Sequence, residues 1–409
     1  MHILLIHQAF AALDEPGGTR HHELARRLVQ RDHRVTIIAS PVSYLTGARR
    51  SDQHAFIVRS DLEPGIRLLR CHTYHALHRS FVHRVFSFFS FMVSAFIAGL
   101  EVRDVDLVWG TSPPIFQGVT AWLLARLKRV PFLFEVRDLW PEFAIAVGVL
   151  TNPVIIRISL WLEGFLYRHA DRVVINSPGF REHVQQRGAR RIECVPNGSD
   201  PSMFDPADRG EAFRKEHDLK DKFVVMYAGA HGLSNDLGVL LAAARLVQDR
   251  PEIRVVLLGD GKEKANLQAQ AAEMGLSNVS FVASVPKELM TGAMAAADAC
   301  VAILKPLEAY KTTYPNKVFD YMCSGRPIVL AIDGVIRQVV EAAGCGIFAQ
   351  PGDPQSIAQA MRNLADDPQQ SRLMGLKGPP YVQAHFNRQM LAGRLADIME
   401  AMIASSNSA

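Results

Sequence analysis

The densest chemistry in the sequence lies in residues 310–326, YKTTYPNKVFDYMCSGR. Pro315 opens a helix that carries Val318, Phe319 and Met322 on one face and stops at Ser324-Gly325. The first turn of such a helix has unpaired N–H groups and a positive dipole end, which makes it a ready anion site. Lys317 adds a charge there, and Tyr314, Pro315 and Asn316 form the junction. Asp320 stands one turn in, where a carboxylate reaches a sugar hydroxyl of a nucleotide. An ordinary helix start is the plainer reading of the same residues.

A second cluster is FEVRDLWPE. Glu135, Arg137, Asp138 and Glu142 crowd one predicted strand end. Ionisable groups at the carboxyl end of a parallel strand are where catalysis tends to sit, and a salt-bridge network is the alternative. Two further strand ends are small-residue turns suited to phosphate contact. One runs from Tyr227 through Gly229 and His231 to Gly232, and the other from Gly259 through Gly261 to Lys262, which supplies charge. Val285, between Ser284 and Pro286, ends a third strand and could hold a base edge through its main chain. After the first strand, Gly17-Gly18 let a backbone approach a bulky ligand, and Thr19 is placed to cap the next helix. No GxGxxG is present, so the dinucleotide fingerprint is absent.

Elements that position these groups are legible in the hydrophobic pattern. Short apolar runs alternate with amphipathic stretches, which is the signature of parallel sheets. Strands are expected at 3–7, 34–40, 105–109, 132–136 and 172–176, and again at 223–229, 254–258, 279–282, 299–304 and 328–331. The polar stretch 196–206 reads as a linker. The fold class is therefore α/β, with two doubly wound, Rossmann-like domains facing across a cleft. The first spans 1–203 and the second 204–384. A last helix within 385–409 carries Met390, Leu391, Leu395, Ile398 and Met402 at helical spacing and would brace the first domain.

At 409 residues, 48% hydrophobic and 21% charged, the chain is globular and too long for one core. Five scattered cysteines, with no CxxC pair, point to a reducing compartment and no structural metal. The start MHILLIHQAF turns polar too soon for a signal peptide and reads as a strand. Residues 1–200 hold 24 Arg+Lys against 18 Asp+Glu, and the remainder 21 against 23. That mild basic bias lacks the dense, aromatic-interleaved stripe of a nucleic-acid binder and suits an anionic membrane surface or a phosphorylated acceptor better. Within the stretch from Arg79 to Leu100, RSFVHRVFSFFSFMVSAFIAGL, the apolar run 85–100 is sixteen residues, too short to span a bilayer comfortably. It reads either as a buried crossover helix or as a helix in the membrane interface.

Taken together, these residues resemble the retaining, GT-B-fold glycosyltransferases that use nucleotide-sugar donors. The resemblance runs over essentially the whole chain. It rests on Gly17-Gly18, on His33-Arg34-Val35-Thr36, on Val195-Pro196-Asn197-Gly198, on Gly259-Asp260-Gly261, and on the run from Asp320 to Pro327. RDLWPE and the YPNK helix are similar to the family 4 branch that transfers amino sugars in bacterial surface-polysaccharide assembly.

The resemblance implies that the first domain binds acceptor and the second binds donor, and it implies a role for each matched position. Gly18 lies over the donor diphosphate, the backbone of Pro315 and Asn316 cradles phosphate, Val285 contacts the base, and Asp320 holds the ribose. It implies a UDP-sugar donor, a lipid-linked saccharide or polysaccharide acceptor, no cofactor and no metal. It also implies a cytoplasmic protein in peripheral contact with the inner face of the plasma membrane. Asp138, Arg137, Lys317 and Lys262 are the candidates for catalysis. The sequence departs from the family in three places. Thr312 stands where the first Glu of the Glu–seven residues–Glu motif belongs. Arg137-Asp138 replaces a His-Asp pair. The Arg and Lys usual after the 227–229 strand are missing, so Lys262, Lys311 and Lys317 are the candidates to neutralise the diphosphate, with Arg137 reaching across the cleft as a further one. A sugar-nucleotide epimerase on the same fold and an inactive nucleotide-binding module are the competing functions.

Overall fold

The computed structural model describes residues 1–15, 17–43, 47–49, 55–75 and 81–407. Among them the chain forms two compact units. One takes residues 1–13, 17–196 and 389–409, and the other chiefly residues 197–388.

The first unit is built on β1 (His2–Ile6), β2 (Arg34–Ala39), β3 (Ile57–Glu63), β4 (Ile66–Cys71), β5 (Leu107–Ser112), β6 (Phe132–Val136), β7 (Arg172–Ile175) and β8 (Ile192–Cys194). Their order in the sheet is β3-β4-β2-β1-β5-β6-β7-β8, and only the β3–β4 pair is antiparallel. The second unit holds β9 (Phe223–Ala228), β10 (Ile253–Leu258), β11 (Val279–Val282), β12 (Ala299–Ile303), β13 (Ile328–Ala331) and β14 (Gly346–Phe348), ordered β11-β10-β9-β12-β13-β14 and all parallel. In both, the order reverses beside the first strand of the unit, at β1/β5 and at β9/β12. Such a switch point is where open α/β sheets bind ligands.

Strand interiors are continuous apolar runs because helices cover both faces. Leu4, Ile6, Val108 and Phe134 face one layer of the first unit, and Ile3, Leu5, Trp109 and Leu133 face the other. The β3–β4 hairpin, β8 and β14 were not expected. IVRSDLE has three consecutive polar residues in its middle and no buried position, as suits an exposed edge, and β8 and β14 have three residues each, too few to show a period.

Residues 197–206 are no free linker. Asn197 Nδ2 donates to the Tyr314 carbonyl at 2.7 Å and Ser199 Oγ to Asp320 Oδ1 at 2.6 Å, which binds this stretch into the second unit. The helix Arg388–Asn407 buries Leu391, Leu395, Met399 and Met402 against β1 and β2 residues of the first unit, while Met390 is exposed. The helix Phe81–Glu101 crosses over between β4 and β5. Phe88, Phe91, Ala95 and Ala98 are its buried side, and Phe86, Phe89, Val93, Ile97 and Leu100 remain exposed. His78, Arg79 and Ser80 lie outside the described residues. Among the described residues no helix is long and apolar enough to cross a membrane.

Candidate functional site

In the second unit the site forms around the helix Asn316–Cys323. Pro315 is its N-cap, so the helix starts one residue later than the sequence pattern indicated, and the cap makes no side-chain hydrogen bond. Val318, Phe319 and Met322 are fully buried. The Tyr321 hydroxyl accepts from the Ala228 N–H and donates to the Ala228 carbonyl, both at 2.9 Å, so the helix is pinned to the end of β9. Asn316 Oδ1 accepts from the buried Arg388 at 2.8 Å, which fixes the first turn.

Lys317 reaches back along the helix to that same strand end. Its Nζ donates to the Tyr227 hydroxyl at 2.7 Å and to Asn235 Oδ1 at 3.2 Å, and lies 4.0 Å from the centre of the Tyr227 ring. Among the described residues it has no carboxylate partner. The residue keeps partial solvent access, but its ammonium end is encircled by protein, and desolvation pulls its pKa down from 10.5 to about 7. Gly229 makes room for it. The backbone there has φ +153°, and a Cβ would stand 2.8 Å from Lys317 Nζ.

Asp320 is held differently. Oδ2 accepts from Lys287 Nζ at 2.7 Å and Oδ1 from Ser199 Oγ. The pair is nearly enclosed, with 10% and 14% of the two side chains exposed. A carboxylate oxygen can accept more than one hydrogen bond, so capacity remains for further donors. Sequence reasoning missed Lys287 and Ser199. They lie 33 and 121 residues away in the chain, and nothing local marks them as partners.

The other second-unit candidates divide. The loop carrying His231 and the loop carrying Gly261 are pressed together, with the His231 N–H donating to the Asp260 carbonyl at 2.8 Å. A Cβ on Gly259 would stand 1.9 Å from the Gly229 carbonyl oxygen, so that glycine serves loop packing. His231 is buried, and burial lowers its pKa to about 4, which leaves it neutral. Tyr314 turns its ring against Phe319 and Phe386, and Val285 packs on the core. Lys262 is exposed. Lys311 is half-buried and paired with Glu308 at 2.6 Å, and Thr312 Oγ1 donates to the Ala309 carbonyl, closing its own turn.

In the first unit, Glu135 is buried at the end of β6 and belongs to a scaffold network. Its carboxylate accepts from Arg20, from His21 Nε2 at 2.7 Å and from Trp109 Nε1 at 3.1 Å. Burial pushes its pKa up, but Arg20 and His21 outweigh that and hold it far below the usual range. The salt-bridge alternative is thus realised at Glu135.

Arg137 and Asp138 follow on the loop. Arg137 Nη2 donates to the Pro113 carbonyl at 2.8 Å. Asp138 is exposed as a residue, yet surrounding protein desolvates its carboxyl and raises its pKa to about 6, with Arg137 pulling the other way. No protein donor among the described residues meets that carboxylate. Gly18 faces open space, since an added Cβ would meet nothing within 4 Å, whereas a Cβ on Gly17 would press on Ala11. Thr19 occupies the N-cap position but gives its hydroxyl to Glu23 Oε1 at 2.7 Å, so it does not cap as expected; the carboxylate is the stronger acceptor.

Residues 17–198 match the Glycosyl transferase 4-like domain, and residues 222–367 match the Glycosyl transferases group 1. Between them these two families take in most of the chain. WcaI of Escherichia coli (strain K12), a protein named as a glycosyl transferase of colanic acid biosynthesis, is 22% identical over 83% of this chain and 86% of its own. Among solved structures, a sucrose-phosphate synthase from Thermosynechococcus elongatus superposes with a TM-score of 0.80 over 99% of both chains, at 18% identity. HepE of Anabaena, in complex with UDP and glucose, superposes with a TM-score of 0.72 over 98% of this chain and 100% of its own, at 19% identity.

Proposed function

This chain belongs to the GT-B-fold glycosyltransferases that join a 4-like domain to a group 1 domain, and from that premise we propose that it moves a hexosyl group from a UDP-sugar to a lipid-linked saccharide or polysaccharide, with retention of anomeric configuration. The observation that carries the donor assignment is Lys317. A buried ammonium end with only neutral protein partners, at the end of β9 and borne on the first turn of a helix, is matched to a diphosphate.

In this reading the second unit binds the donor. Lys317 and the first-turn N–H groups at Asn316 stabilise the negative charge that grows on the diphosphate as the anomeric bond breaks. Asp320, oriented by Lys287 and Ser199, takes ribose hydroxyls on its remaining lone pairs. Among the described residues no second carboxylate stands beside Lys317 as a glycosyl-accepting nucleophile, which supports attack from the face of the leaving group, with the departing phosphate taking the acceptor proton. Asp138 and Arg137 of the first unit attend the acceptor. The choice of UDP draws support from HepE, solved with UDP, and a surface-polysaccharide acceptor from the likeness to WcaI. An N-acetylated amino sugar is proposed on RDLWPE and YPNK. The test is nucleotide release across a panel of UDP- and GDP-sugars, with the product anomer read by NMR. Release from GDP-sugars alone, or an inverted product, overturns the assignment.

A further inference from the structure

Three helices cover one face of the first unit's sheet. They are Phe81–Glu101, Phe116–Lys128 and Pro153–His169, and their inner sides share one core with β5 and β6. Phe116–Lys128 lies between the other two. Phe89 meets Phe116 at 5.6 Å between ring centres, and Trp122 meets Phe165 at 4.9 Å. Their outer sides therefore form one continuous surface.

That surface is apolar on every helix. Phe86, Phe89, Val93, Ile97 and Leu100 follow one another at three- and four-residue steps, so they make a stripe along the first. Leu123 and Leu127 continue it on the second. Val154, Ile158 and Trp161 complete it on the third, where Trp161 is 61% exposed. An exposed apolar patch running over three helices is beyond what scattered surface hydrophobics explain.

The exposed charges on the second and third helices have one sign. Arg126, Arg157 and Arg168 are exposed on the second and third helices. Arg126 and Arg157 lie on the apolar stripes themselves, three residues from Leu123 and Val154. Glu163, the one carboxylate on these two helices, is buried against Tyr167 and His183. Glu101, at the end of the first, is taken by Arg59. Apolar side chains with Trp and Phe, bordered by Arg and without free carboxylates, fit the interface of an anionic bilayer.

We propose that this three-helix face docks the chain on an anionic lipid bilayer. The contact is broader than the Phe-rich helix alone and includes Trp161 and Arg157, far along the sequence. It also sets the acceptor loop at the lipid surface. Phe116 packs on Trp140 at 5.7 Å between ring centres, two residues past Asp138. That placement of the acceptor rests on the proposed function, while the docking does not.

The test is co-flotation of the full chain with phosphatidylglycerol-containing vesicles and with phosphatidylcholine vesicles. The wild type should float with the first and much less with the second. Replacing Ile158 and Trp161 with Ser, outside the Phe-rich helix, should weaken that affinity by roughly tenfold or more. Replacing Arg126 and Arg157 with Glu should weaken it on phosphatidylglycerol only. UDP binding and the thermal midpoint should be unchanged in both variants, which separates failed docking from failed folding and from a wrong donor. Equal flotation of wild type and the Ile158/Trp161 variant would overturn the proposal. So would a wild-type dimer that those Ser substitutions convert to monomer without any vesicle binding.

Discussion

Each unit carries, beside its ligand-facing strand ends, two charged residues three positions apart: Glu135 and Asp138 in the first, Lys317 and Asp320 in the second. In each pair one charge is spent on the protein. Arg20, His21 and Trp109 hold Glu135, and Lys287 and Ser199 hold Asp320. The other charge makes no salt bridge among the described residues: Asp138, which the neighbouring Arg137 attracts without pairing, in the first unit, and Lys317 in the second. The leftover groups have opposite sign. A carboxyl suits an acceptor hydroxyl, and an ammonium suits a diphosphate. Proximity in sequence therefore does not separate scaffold from site, but the partner inventory does.

Substitutions can break this division. The largest effect is expected at Glu135→Gln, which leaves Arg20 buried without its carboxylate. Stability should fall by about 3–5 kcal/mol in denaturant unfolding. Lys317→Met should do the reverse, slowing turnover by about 10²–10³-fold at saturating donor while leaving the apo protein as stable or more so. A stability loss like that at Glu135 would class Lys317 with the scaffold. Lys287→Met should cost about 2 kcal/mol of stability, less than a fully enclosed pair because both side chains keep some exposure. Its effect on turnover should be no larger than the disturbance of Asp320 allows.

The smallest change is expected at Asp138→Asn. The carboxyl titrates near 6, so activity that needs its ionised form should rise with pH through that value, and the Asn variant should flatten the profile without loss of stability. An unchanged profile would remove Asp138 from the reaction.

Much of this was legible in the sequence. Parallel strands announced themselves as apolar runs, and Phe132–Val136, Val279–Val282 and Ile328–Ala331 fall where the pattern put them. The β3–β4 hairpin hid because its edge strand carries Arg59-Ser60-Asp61 through the middle and buries no residue, which is neither an apolar run nor an alternation. At the site, Lys317 and Asp320 could be named from the helix start, but their difference could not. It depends on Lys287, Ser199, Tyr227 and Asn235, which only the fold brings to them. For the same reason Glu135 and Asp138 looked alike as strand-end carboxylates.

Titration of Lys317 gives the most direct test. Unfolded, it titrates at its ordinary 10.5; folded and without ligand, at about 7. Between those values the unfolded chain holds the extra proton, so stability rises with pH across that window, and the full penalty stands below about 7. A diphosphate beside Nζ restores the charge. UDP binding measured calorimetrically at about pH 8, in buffers of different ionisation heat, should therefore take up close to one proton. Lys317→Met should bind UDP more weakly and take up none. Proton uptake that is absent in the wild type, or equal in the variant, would contradict the assignment of Lys317 to the donor diphosphate.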